Sequence, residues 1–176
     1  MLFLFLSLGL YASLLDSIFM RMPDKLIPTL TRQQRFELAE YFKAQRKDST
    51  QNRFGKSSIL IQYDTIQNHL LVKTSASSTT EIRQFQKPSG ETYLGVICTV
   101  SMPVTNSSLS FYNSDWSLSP ISVSIPQSKT FVSYVQLRFH ETEHTLMATY
   151  QSILTTEDEK IIDPDEAHKK FIIPLP

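Results

Sequence analysis

Glycine is scarce in this sequence, at four residues in 176. That leaves no room for a Gly-rich phosphate loop or a dinucleotide fingerprint, each of which needs several glycines in one short turn. Cysteine is scarcer, with Cys98 alone. One thiol forms no internal disulfide and supports no multi-cysteine zinc or iron–sulfur site. Its setting among Val96, Ile97 and Val100 reads as a small buried hydrophobe. Net charge is absent, because 17 Lys and Arg balance 17 Asp and Glu. That argues against a nucleic-acid partner held by bulk positive charge. No apolar run reaches the roughly 20 residues that a transmembrane helix requires. No cofactor is expected on these grounds.

What fills the gap is hydroxyl, with 22 Ser and 16 Thr. The charges present are unevenly placed. Residues 21–56 carry nine Lys and Arg against four acids, whereas residues 57–176 carry eight against twelve. Between Thr92 and Ser128 the only charged residue is Asp115. Such a stretch is buried or covered by hydroxyls. Residues 1–12, MLFLFLSLGLYA, are apolar and uncharged. They are too short to span a bilayer and suit the core of a signal peptide, with Ala12 and Ser13 near a cleavage point. A periplasmic or secreted location follows from that reading.

Residues 13–47 read as a helical cap. An amphipathic piece, 14–22, ends at Pro23, and a turn at 24–27 stops before Pro28. Thr31 opens the main helix, and Gln34 three residues on completes a capping box. From Ser57 the apolar period changes to two. Runs at 58–63, 69–74, 79–86, 92–101, 107–113, 121–125, 131–140 and 145–151 predict strands with short polar breaks. Their order fits an antiparallel meander over 57–151 rather than βαβ units. Residues 156–170 are acidic and read as helical. The apolar end after them suggests that a final strand is missing.

The run Phe19-Met20-Arg21-Met22-Pro23-Asp24-Lys25-Leu26-Ile27-Pro28, with Leu30-Thr31 and Arg35, is followed by Asn52-Arg53-Phe54-Gly55-Lys56-Ser57. Cys98-Thr99-Val100 and Phe111-Tyr112-Asn113-Ser114-Asp115-Trp116 come next. In that order, over about residues 13–160, these motifs resemble an exported Bacteroidales family of unknown function, domain of unknown function 3256. The resemblance implies a signal peptide and an envelope location. It offers no catalytic residue to carry over. The chain departs from the family in its uncharged start and in an early end.

One catalytic motif is present. His140-Glu141-Thr142-Glu143-His144 satisfies H-E-x-x-H. On a helix, both imidazoles of that motif reach one zinc ion, and the glutamate acts as general base. Here the preceding run is β-branched and aromatic, and Thr145-Leu146-Met147-Ala148-Thr149-Tyr150 follows. The motif therefore reads as a polar hairpin loop, where helical spacing is lost. Two sets of residues are candidates for binding. Arg32, Arg35 and Lys43 form a basic helix face suited to anionic lipid or glycan, and Tyr112, Trp116 and Tyr134 suit sugar stacking.

These features predict a single α+β domain over 13–176, with N-terminal helices packed on a mainly antiparallel sheet. Leu38 and Phe42 are expected to face Ile59, Ile61, Val96 and Cys98. The expected function is a non-catalytic binding or envelope-assembly module whose partner is an envelope protein, a lipid or a glycan. The alternative is a zinc hydrolase built on His140, Glu141 and His144.

Overall fold

The computed structural model describes residues 13–46, 49–128 and 134–176. The expected leader at 1–12 lies outside the described residues. Ser13 caps α1 (Leu14–Arg21) in a reciprocal box with Asp16. A 3₁₀ turn, Asp24–Leu26, leads to α2 (Arg32–Lys43), which opens with the Thr31–Gln34 box. Each box satisfies backbone donors that a helix start leaves without partners, and losing such a cap costs about 1 kcal/mol.

Six strands follow: β1 (Thr50–Gln51), β2 (Ser57–Asp64), β3 (His69–Ser75), β4 (Ser78–Gln86), β5 (Thr92–Ser101) and β6 (Thr105–Asn113). They form one antiparallel sheet in sequence order. A second antiparallel sheet holds β7 (Tyr134–Phe139), β8 (Thr145–Gln151) and β9 (Lys170–Pro174), with β8 in the middle. The fold is α+β with most of its residues in sheet.

Strand side chains alternate between faces, so the six-stranded sheet buries both. Its first face carries Leu60, Leu70, Val72, Ile82, Leu94 and Val96 against Leu15, Phe19, Leu38 and Ala39 of the helices. Its second face carries Phe85, Tyr93, Ile97 and Phe111 against Leu137, Phe139, Leu146 and Ala148 of the smaller sheet. The result is three layers with the large sheet in the middle. A polar knot ties the helices down. Lys43 Nζ lies 2.8 Å from Asp16 Oδ1, and the Tyr63 hydroxyl donates to the same carboxylate. Burial works against ionisation of Asp16, but the bonds from Lys43, Tyr63 and Ser13 outweigh it and hold its carboxyl below the ordinary value.

Four expectations change. Val96 and Cys98 do face Leu38 and Phe42, but the partners from β2 are Leu60 and Tyr63, not Ile59 and Ile61. The β2–β3 register slips between Leu60 and Gln62, so Ile61 is an extra, bulged residue, 50% exposed. The bulge lets residues three apart share a face. Residues 121–125 form no strand. Ile121, Val123 and Ile125 still pack on the second core, but Pro120 and Pro126 bracket the segment and supply no N–H for a ladder. The acidic segment holds only a 3₁₀ turn, Asp158–Lys160, and the four-residue α3 (Pro164–Ala167). The apolar residues after it are themselves strand β9, paired to β8.

Candidate binding cleft

The alternation of β4 places Glu81, Arg83 and Phe85 on the second face, toward β7 and β8. Glu81 is 3% exposed. Its Oε1 lies 2.8 Å from His69 Nε2 on β3 and accepts from the Phe139 N–H at 3.2 Å. Gln62 Nε2 sits 3.2 Å from His69 Nδ1. With the amide donating to Nδ1, Nε2 carries the hydrogen that the carboxylate accepts. Glu81 thus joins the two sheets through one backbone amide. Its Oε2 is buried without a partner.

Arg83, 5% exposed, holds the loop between β7 and β8. Its Nη1 donates to the His140 carbonyl and, at 3.4 Å, to the Glu143 carbonyl. Its Nη2 donates to Gln67 Oε1 at 3.2 Å, and its guanidinium carbon lies 5.2 Å above the Phe85 ring. A rigid planar fork suits three oxygens in fixed places better than an ammonium does.

The H-E-x-x-H residues occupy that loop, with no helix at 140–144. His140 Nδ1 accepts from the N–H groups of Thr142 and Glu143, at 3.4 and 3.1 Å. His144 turns the other way. Its Nε2 lies 2.7 Å from the Tyr93 hydroxyl, which donates to the Pro176 carbonyl at 2.7 Å. Burial pushes the Tyr93 phenol up to about 12. Burial also holds the His144 imidazole below its ordinary 6.5, with nearby Arg83 adding to the effect. The two imidazoles are engaged in opposite directions. Among the described residues no group of three or more His, Cys, Asp or Glu is placed to hold a metal ion.

The basic face is not as expected. Arg32 is exposed on α2, but Arg35 is 1% exposed and belongs to the core. It donates to Asp24, to the Leu30 carbonyl and to the Met20 and Met22 carbonyls at the end of α1. Those carbonyls lack helical partners, and a cation at a helix C-terminus is favoured. Its spacing to Leu38, Ala39 and Phe42 is that of one helix face, which is the signal for burial. Lys43 bridges Asp16 and Glu40. The three cations therefore form no shared exposed patch. The aromatic set separates likewise. Tyr112 and Trp116 pack on each other at 5.7 Å in the helix-side layer, with Trp116 buried. Tyr134 is exposed on β7 of the smaller sheet.

An open cleft of about 410 Å³ lies where the β2–β3 turn, the end of β4 and the loop at 140–144 meet. The β3–β4 pairing stops at His69↔Arg83, whereas β4 pairs with β5 as far as Gln86↔Thr92. Residues 84–86 of β4 therefore overrun β3 and form one wall. The lining is largely carboxamide and hydroxyl, from Gln67, Asn68, Gln84, Gln86, Thr92 and Thr142. Arg83, Phe85 and His144 form the floor. Sequence reasoning missed this site. Its trace was Glu81 and Arg83, two charges at strand spacing on the same side of β4 as Phe85.

A family model described as "Protein of unknown function (DUF3256)" matches residues 7–166. No curated protein of known role matches the chain. One similar solved structure is described as "Structure of a domain of an uncharacterized protein from Porphyromonas gingivalis W83". It aligns with a TM-score of 0.67 and 17% identity, covering 94% of this chain and 91% of that one. At that identity the likeness shows a common fold.

Proposed function

Because the chain belongs to the family described as "Protein of unknown function (DUF3256)", which brings no activity with it, we propose a function from the chemistry of its side chains. The protein is an exported, non-catalytic binding module of the cell envelope, and its cleft is the ligand site. One observation carries this reading: the side chains able to do chemistry are already spent on the fold. Glu81 is taken by His69 and the Phe139 amide, His144 by Tyr93, and His140 by its own loop. Cys98 lies in the helix-side core, where burial pushes its thiol up and away from the reactive thiolate. Apart from the Glu143 carboxylate at its rim, what remains turned toward the cleft is amide and hydroxyl, which recognise rather than react. The apolar, uncharged residues 1–12 support export. No helix among the described residues is long and apolar enough to cross a membrane.

The test is capture and assay with the same purified protein. Immobilised protein is expected to retain an envelope component, and a cleft variant is expected to lose it. Hydrolysis of a peptide or ester that requires stoichiometric zinc and disappears in His144→Ala would sink the reading in favour of the hydrolase.

A further inference from the structure

We propose that the cleft is a subsite for an uncharged carbohydrate bearing acetamido groups, which rests on the binding-module reading above. The argument starts from three amide contacts. Gln67 uses Oε1 to accept from Arg83, Asn68 uses Nδ2 to donate to Gln84 Oε1 at 3.1 Å, and Gln86 uses Nε2 to donate to the Gly90 carbonyl at 3.1 Å. Each internal bond fixes which way the amide points. The ends with no bond among the described residues are two donors, Nε2 of Gln67 and of Gln84, and two acceptors, Oδ1 of Asn68 and Oε1 of Gln86. Four amides held in advance lose little freedom when a ligand arrives.

Donors and acceptors interleaved in this way select the ligand chemistry. A sugar hydroxyl both donates and accepts, and an acetamido group carries one of each, so such a ring meets both kinds of end. Among the described residues that line the cleft the one cation is Arg83, and its unpaired Nε is buried. The Nη groups of Arg83 are committed to His140, Glu143 and Gln67, and the Glu143 carboxylate stands at the rim. An extended peptide finds too little edge, because β4 overruns β3 by three residues only. Apolar contact for the ring and the acetamido methyl comes from two sources. Ile66, on the turn that borders the cleft, is 87% exposed, and the His144 ring lies 4.9 Å from Phe85 at an interplanar angle of 31°. The cleft volume falls within the ordinary range for small-ligand sites, about 300–1,000 Å³.

The experiment is a titration of the ¹⁵N-labelled full chain with the β-1,4-linked N-acetylglucosamine tetramer. Maltotetraose, an oligogalacturonate and tetra-alanine serve as the other probes. The N-acetylglucosamine tetramer is expected to shift the side-chain NH₂ signals of Gln67 and Gln84 saturably. Gln84→Leu is expected to weaken it about tenfold, a change on the scale of one lost hydrogen bond. Gln33→Leu, on the exposed face of α2, is expected to leave it unchanged. Saturable binding of the neutral tetramers with no loss in Gln84→Leu overturns the site. So does a preference for the oligogalacturonate or the peptide, or no saturable shift with any probe while the amide spectrum is folded. An envelope component that is captured by the native chain and lost in Gln84→Leu, with no saturable shift from either sugar, ends this proposal and leaves the binding-module reading standing. Cleavage of the sugar by the protein does the reverse.

Discussion

A methyl group added at Gly95 would lie 2.5 Å from Phe139 Cζ and 3.1 Å from Phe85 Cε2. The absence of a side chain there lets a ring of the smaller sheet settle on the backbone of β5. Gly95→Ala is expected to destabilise the protein by about 1–3 kcal/mol through overpacking, and Phe139→Leu in the same chain to recover part of it, as read by urea midpoints. At Arg35 the cost has another origin. Arg35→Met would leave two buried carbonyls and one half-buried carbonyl without this donor, about 1–3 kcal/mol, and Arg35→Lys is expected to recover little because one ammonium cannot span them. The His144 effect depends on pH. Its folded pKa is held below 6.5, so the unfolded chain binds more protons as the pH falls. Its stabilising share is complete above about 6.5 and is lost as pH drops through the folded value. Denaturation midpoints measured from pH 7.5 to 5 are expected to fall in the native chain and to fall less in His144→Gln. The Asp16 contribution follows the same sign in a separate window beginning near 3.8.

At the level of elements, β2 gives the sharpest contrast. Ile61→Ser, at the bulge, is expected to change stability by less than about 0.5 kcal/mol, whereas Leu60→Ala one residue earlier costs about 2–5 kcal/mol. Equal effects in thermal melts would show that the bulge is misplaced. The start of α2 was legible in the sequence because a capping box is local: Thr31 and Gln34 name the start of a helix unaided, and Pro23 marks the stop of α1 in the same local way. The bulge was not legible, since it depends on how β2 meets β3, and no neighbour in sequence reports that. Residues 121–125 show the limit of periodicity. Their alternation reports one buried side, which they have, but says nothing of backbone partners, which two flanking prolines reduce. The cleft was illegible for a further reason. Gln67, Asn68, Gln84 and Gln86 look like ordinary surface amides until the β2–β3 turn is laid against the end of β4.

For the whole molecule, the large sheet makes two cores one unit. Leu94 and Val96 belong to the helix-side core, while their neighbours Tyr93 and Ile97 belong to the other. Neither layer can leave without exposing the face of β5 that it covers. Leu146→Ala, on the smaller sheet, is expected to lower the denaturation midpoint seen by Trp116 fluorescence and by far-ultraviolet circular dichroism to the same extent, although Trp116 lies on the opposite side. Two separate transitions would contradict a shared core.

The Arg35 and Glu81 ties differ in one more respect, which bears on time. Arg35 reaches back 5 to 15 residues along the chain, but Glu81 meets Phe139 across 58 and Arg83 meets His140 across 57. Short closures come first, since the entropy of joining ends rises with the length between them. At synthesis rates of about 5–20 residues per second, the helical cap is complete several seconds before β7 exists. Once β6 is made, and until β7 and β8 follow, Phe85 and Ile97 face water on a sheet whose other side is already finished. A nascent chain of this protein therefore carries its greatest risk of aggregation midway through its making, and a holding chaperone has the most to offer it there.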